Sequence, residues 1–136
     1  MHPGDIVFAS FVTESIRSTI VPPSISVSVN KADCFKVREY GNTVDSDYLN
    51  KCFSSRYFYK HLEGLIHGVG RPRINTTQLG EAPIPICSIA EQQEIVRLLD
   101  EQFTAIEQNE KEIDQALTQS QALRQSILKQ AFEGKL

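Results

Sequence analysis

Two guanidinium groups stand one proline apart in Gly68-Val69-Gly70-Arg71-Pro72-Arg73-Ile74-Asn75, and no other side chains in the sequence are better suited to recognise a partner. The glycines open backbone angles closed to other residues, and the proline restricts the chain between the arginines, so a shaped loop is expected here. A guanidinium on such a loop can make two hydrogen bonds to a guanine edge or grip a phosphate, which makes Arg71 and Arg73 candidate DNA-binding residues. Asn75 and Thr76 offer further hydrogen bonds beside them, with helix or strand capping as the competing use. Ser15, Arg17 and Ser18 form a second polar set, on residues 13–24, which end in Pro22-Pro23 and read as a loop. Ordinary surface arginines are the alternative for Arg71 and Arg73. Lys60 and His61 are expected to be solvated only.

Other chemistry is missing. Cys34, Cys52 and Cys87 are irregularly spaced, with no Cys-x-x-Cys pair to close on zinc, and read as reduced thiols of a cytoplasmic protein. Gly68-x-Gly70 is followed by Arg-Pro rather than by a helix start, and no Gly-x-x-x-x-Gly-Lys-Ser/Thr loop cradles a triphosphate. There is no His-x-x-x-His pair and no Gly-x-Ser-x-Gly elbow. Glu133-Gly134-Lys135 has the Glu-x-Lys form of some nuclease sites but lacks a partnering aspartate strand. No catalysis, metal or cofactor is therefore expected in this chain. No apolar run approaches the ~18–20 residues that span a bilayer, and the start lacks the basic and apolar regions of a secretory signal.

Charge is divided along the chain. Residues 1–86 carry nine Lys/Arg against eight Asp/Glu, with all three histidines, while residues 87–136 carry five against nine. The acidic balance thus belongs to the C-terminal segment, and the first part can present a local basic face.

The elements that must position these groups fall into two parts. Residues 5–12 are β-branched and aromatic and fit a buried strand. Residues 24–29 alternate Ser with Ile or Val, as a half-buried strand should, and a third strand is expected over 34–38, before the Gly41-Asn42 turn. Ser46-Asp47 reads as the cap of a helix that carries Leu49, Cys52, Phe53 and Leu62 and stops near Gly64 or Gly68. Its aromatic residues Phe53, Tyr57, Phe58 and Tyr59 fit a core better than a base-stacking platform. The prolines at 83 and 85 keep residues 81–86 extended.

Ser88-Ile89-Ala90-Glu91 is a capping box, and Gly and Pro are absent from 91 to 133. Val96, Leu99, Phe103, Ile106, Ile113, Leu117, Ile127 and Ala131 follow one seam of three- and four-residue steps, interrupted by Glu110, Ser120 and Arg124. That heptad pattern predicts a helix packed against another long helix, with Phe103, Ile106, Ile113, Leu117 and Ile127 as the pairing residues. Core contacts within the chain are the alternative for Phe103 and Ile106. A single helix would run ~65–70 Å, far beyond the ~30 Å diameter of the preceding domain. A helical hairpin also satisfies the pattern, but no turn residue marks its bend.

Ile84-Pro85-Ile86 leading into Ala90-Glu91-Gln92-Gln93-Glu94-Ile95-Val96-Arg97-Leu98-Leu99-Asp100 resembles the junction of recognition domain and conserved helix in specificity subunits of type I restriction–modification systems. The terminal run from Leu123-Arg124-Gln125 to Glu133-Gly134-Lys135-Leu136 is similar to the end of that family. Gly4-Asp5-Ile6-Val7, Asp47-Tyr48-Leu49 and Gly70-Arg71-x-x-Ile74-Asn75 are similar to its weaker landmarks. The resemblance implies an α+β fold: a small mixed sheet with one or two helices, forming a partial target-recognition domain over residues 1–87. One long C-terminal helix over 88–136 would follow and pair as an antiparallel coiled coil. It implies a chain that recognises part of a split site in double-stranded DNA and scaffolds methyltransferase subunits. S-adenosylmethionine would belong to those partners, and the restriction subunits would join the complex. Only one recognition domain at most is covered, so the chain is expected to be a fragment, a truncated product, or a half-subunit that dimerises through its helix. The alternative is an assembly module whose coiled coil recruits partners while the first part reads no DNA.

Overall fold

Alternating large apolar residues build the sheet on which everything else rests. The computed structural model describes residues 1–29, 32–66, 70 and 72–136. It forms two compact units, Met1–Val96 and Arg97–Leu136. In the first, β1 (Ile6–Ala9) lies between β2 (Ser18–Ile20) and β3 (Cys34–Val37), antiparallel to both. Ile6 pairs with Ile20 and Val37, and Phe8 with Ser18 and Phe35. Period-two alternation therefore turns Ile6 and Phe8 into the core and leaves Val7 and Ala9 on the opposite face.

Phe35, Phe8, Phe53 and Phe58 form a continuous aromatic chain from the sheet into two helices. Phe8 stacks on Phe35 at 6.5 Å and meets Phe53 edge-on at 5.2 Å, and Phe53 meets Phe58 at 5.0 Å. These geometries suit the ring quadrupoles, and Phe8, Phe53 and Phe58 are fully buried. The expected core role of Phe53 and Phe58 is therefore found. Tyr57 is exposed and packs against His61, while the Tyr59 hydroxyl donates to Thr13 O at 2.9 Å.

The expected helix over 46–64 is two helices, α1 (Ser46–Ser54) and α2 (Arg56–Glu63). Ser55 breaks them: its backbone is extended and its hydroxyl accepts from Phe58 N–H, starting a new helix. The cap of α1 is Asp45 rather than Ser46-Asp47; its carboxylate accepts from the N–H groups of Asp47 and Tyr48. A short α3 (Thr76–Glu81) was not anticipated. The strand expected over 24–29 does not form. This stretch is tied instead to Met1, whose amino group donates to Ser28 O, and Val27 and Val29 stay exposed. β2, by contrast, lies within the stretch read as loop.

The last element, α4 (Ile89–Phe132), is one uninterrupted helix of 44 residues, not a hairpin. Its start is held by the capping box: Ser88 N–H donates to Glu91 Oε2 at 2.9 Å, and Glu91 N–H donates to Ser88 Oγ at 3.3 Å. The Ser88 hydroxyl, then its N–H, hold the Glu91 carboxyl below its ordinary range. One turn on, Gln92 is fully buried. Its Oε1 accepts from Asp45 N–H at 2.8 Å, and its Nε2 donates to Thr43 O and Cys87 O at 3.1 and 2.8 Å. Beside it the Tyr48 hydroxyl donates to Pro85 O at 2.8 Å, and burial pushes its pKa up. No described helix is long and apolar enough to cross a membrane.

At the outer end of β1, Asp5 is 3 % exposed. It accepts from Arg38 Nε and Nη2 and from His2 N–H. The Arg38 hydrogen bonds hold its carboxyl well below the usual carboxylate range, against the opposing effect of burial.

Two outcomes follow for this unit. Gln92→Leu keeps the volume of this buried side chain but breaks its three hydrogen bonds to backbone groups, so unfolding free energy should fall by about 2–3 kcal/mol in urea titration. Asp5 is a group of depressed pKa. Its contribution is full above the ordinary Asp pKa, about 4, and is lost as pH falls towards the folded value. Asp5→Asn should therefore lower the urea midpoint at pH 7, and the gap to the parent should narrow on acidification. A gap constant from pH 7 to pH 3 would contradict the ion-pair account.

Candidate nucleic-acid interface

Three stretches of chain meet at Ser10, the residue that follows β1. Its N–H and its hydroxyl both donate to Asp33 O at 2.9 Å, and its carbonyl accepts from Ile74 N–H at 3.0 Å. Val12 N–H donates to Pro72 O, also at 3.0 Å, and Phe11 and Arg73 form an antiparallel bridge between these bonds. Ser10 and Ile74 are buried, so the segment carrying Arg73 is fastened at both ends of the bridge. With Ile74 turned inward, Arg73 turns outward, and its Nη1 lies 3.0 Å from Asp33 Oδ1. Both side chains remain about half exposed.

The pair stands at the rim of a concavity of about 630 Å³ over the sheet face opposite the core. Val7, Ala9, Phe11 and Cys34 supply apolar lining, and Arg17, Ser18 and Thr19 come from the β2 side. Arg17 is exposed and makes no ion pair with a described residue. Two guanidinium groups and one carboxylate leave the rim positive. A half-exposed ion pair adds little to stability, about 0–1 kcal/mol, so its physical effect is to fix the direction of the Arg73 fork. A guanidinium has five N–H donors, and one carboxylate contact leaves others available for a planar, acceptor-rich partner. Among the described residues no cluster of His, Cys, Asp and Glu is placed to hold a metal ion.

Residues 7–119 match the type I restriction modification DNA specificity domain. The chain belongs to that family. Its relatives include the specificity subunit of the type I restriction enzyme EcoBI of Escherichia coli, 34 % identical over 120 residues, which are 88 % of this chain and 25 % of that protein. The EcoDI specificity subunit of Escherichia coli is 42 % identical over 65 residues, covering 48 % of this chain and 15 % of that one. The StySPI specificity subunit of Salmonella potsdam is 37 % identical over 67 residues, 49 % and 14 % of the two chains. This specificity-domain chain thus spans a quarter or less of the length of the relatives it matches.

The residues singled out in the specificity-domain sequence are divided by the fold. Arg17 and Arg73 come together at the one concavity. Arg71 lies outside the described residues. Ser18 borders the concavity, but its Oγ is buried and has no described hydrogen-bond partner, so it does not present its hydroxyl to a ligand. Ser15 lines a separate concavity with Glu14, Ser54, Ser55 and Arg56. Asn75 caps α3: its Oδ1 accepts from Gln78 N–H and its N–H donates to Gln78 Oε1, both at 2.8 Å. Its capping alternative is therefore the one observed. Thr76 opens α3 and faces a third hollow, beside Lys36, Leu79 and Gly80. Asp33 and Ser10, which build the Arg73 site, carried no signal in the sequence, because both act through partners more than twenty positions away.

On α4, Phe103, Ile106, Ile113, Leu117 and Ile127 are 48–65 % exposed.

Proposed function

We propose that this chain reads part of a DNA site for a type I restriction–modification complex, without catalysing a reaction itself. The observation that carries this is the Ser10-anchored Arg73–Asp33 pair facing Arg17 across an open, positively rimmed concavity. A pre-oriented guanidinium suits the O6 and N7 acceptors of a guanine edge, and the apolar lining suits base or methyl surface. Residues 1–87 would act as the partial recognition domain and 88–136 as the spacer. Methyltransferase subunits, which would hold S-adenosylmethionine, would assemble on that spacer together with restriction subunits.

The half-exposed apolar seam of α4 supports pairing with a second long helix, through Phe103, Ile106, Ile113, Leu117 and Ile127. A homodimer with antiparallel helices would supply that helix from a second copy and give a two-fold arrangement for a split site. The second reading, an assembly module that reads no DNA, is favoured by the five-to-nine charge balance of residues 87–136, since phosphates avoid such a segment.

Arg17→Ala with Arg73→Ala separates the two. The preference among sequences selected from a randomised-duplex pool, followed by fluorescence anisotropy on single selected duplexes, should weaken at least about tenfold, at ~1–3 kcal/mol of discrimination per bidentate contact. An unchanged sequence preference with preserved circular dichroism would leave only the assembly reading. Sedimentation of the chain should give twice 15.3 kDa. Ile113→Asp with Leu117→Asp should return it to monomer with its helix content kept; a parent that is monomeric at every concentration would end the homodimer proposal.

A further inference from the structure

Arg56, Tyr57, Lys60 and His61 are all exposed along α2, while Phe58 and Leu62 are fully buried. Steps of one and four residues put those exposed four on one side of the helix. His61 Nδ1–H donates to Tyr57 O at 2.9 Å and its ring lies 4.6 Å from that of Tyr57, which leaves Nε2 as the ring's remaining polar atom. Neither Arg56 nor Lys60 makes a salt bridge with a described residue. The only carboxylate on α2 is Glu63, its last residue.

This face is joined to the reading site by one short loop. The Tyr59 hydroxyl donates to Thr13 O, and Ala9 N–H donates to Arg17 O, so residues 13–17 are fixed at both ends. Arg17 borders the concavity on the sheet. Ser15, two residues earlier, shares a second concavity of about 410 Å³ with Arg56. Glu14 also lines that second hollow, without an ion pair to Arg56. The contrast with Arg73 is chemical. Asp33 cancels the Arg73 charge and leaves it a directional donor, whereas Arg56 and Lys60 keep their full charge, which is what a phosphate contact uses.

We propose that the Arg56–Lys60 face of α2 grips the sugar–phosphate backbone of the duplex whose bases meet Arg17 and Arg73. This rests on the DNA-reading proposal above. The test is the salt dependence of binding of the full chain to a randomised-sequence duplex, for the parent and for Arg56→Gln with Lys60→Gln. The slope of log K against log salt should become shallower by about 1.8, near 0.9 for each phosphate lost. The sequences selected from the pool should stay the same, and the charge-conserving pair Arg56→Lys with Lys60→Arg should keep the parental slope. An unchanged slope overturns the proposal, whether or not overall affinity falls. So does a variant that keeps its slope but loses a co-purifying protein subunit, which would make α2 a protein-docking face. If the parent itself holds no duplex at low salt, the reading function falls first, and this inference with it.

Discussion

Gln92 is a polar side chain with no exposure, and the first unit depends on it because its whole amide is used. Three hydrogen bonds run from it to Thr43, Asp45 and Cys87, segments that are otherwise irregular. Backbone polar groups shielded from water need partners, and these three irregular segments each take one from the same glutamine. Asp45 shows the economy of the arrangement: its carboxylate caps α1 while its own N–H is spent on Gln92. The starts of α1 and α4 are thereby locked through a single residue. An apolar side chain of equal volume would fill the space and leave the donors and acceptors stranded, which is the costlier defect.

Ser10 plays the corresponding part on the other side of the sheet. With one residue it joins the end of β1, Asp33 and the segment before α3. The resulting site combines a rigid backbone with a soft electrostatic contact. The Arg73–Asp33 pair is half exposed and screened, so it cannot hold the fold together; the buried Ser10 and Ile74 do that. Because the scaffold does not need the ion pair, the pair is free to exchange partners when a better acceptor arrives.

What could be read from the sequence was local. β1 and β3, the capping box at Ser88 and the unbroken helix after it are each specified by residues within a few positions of one another. The tertiary choices were not. The Ser-Ile-Ser-Val alternation of 24–29 is as good a strand pattern as Cys34–Val37, yet only the latter reaches an open edge of β1. Ser18–Ile20 became a strand because Ile6 and Val7 offered the other edge. The division at Ser55 was hidden because a serine inside a helical pattern signals nothing until its hydroxyl is seen to cap. Of the candidate recognition residues, the arginines were legible as types, but their sorting was not: Asn75 went to a cap, the Ser18 hydroxyl to the interior and Ser15 to another hollow.

The sorting of cations is where the fold adds most to the sequence. Composition gave residues 1–86 a near-even balance, which by itself argues for no strong field. The structure distributes that balance unevenly. Arg38 is spent on buried Asp5 and Arg73 is oriented by Asp33, whereas Arg56 and Lys60 have no carboxylate within ion-pair distance among the described residues. Neutralised and unneutralised arginines do different physical work. A paired guanidinium keeps its hydrogen-bonding direction but loses most of its long-range pull; an unpaired one attracts at a distance and specifies little. A near-neutral domain can therefore carry both kinds of contact at once, provided its carboxylates are placed beside the arginines that must aim rather than beside those that must attract.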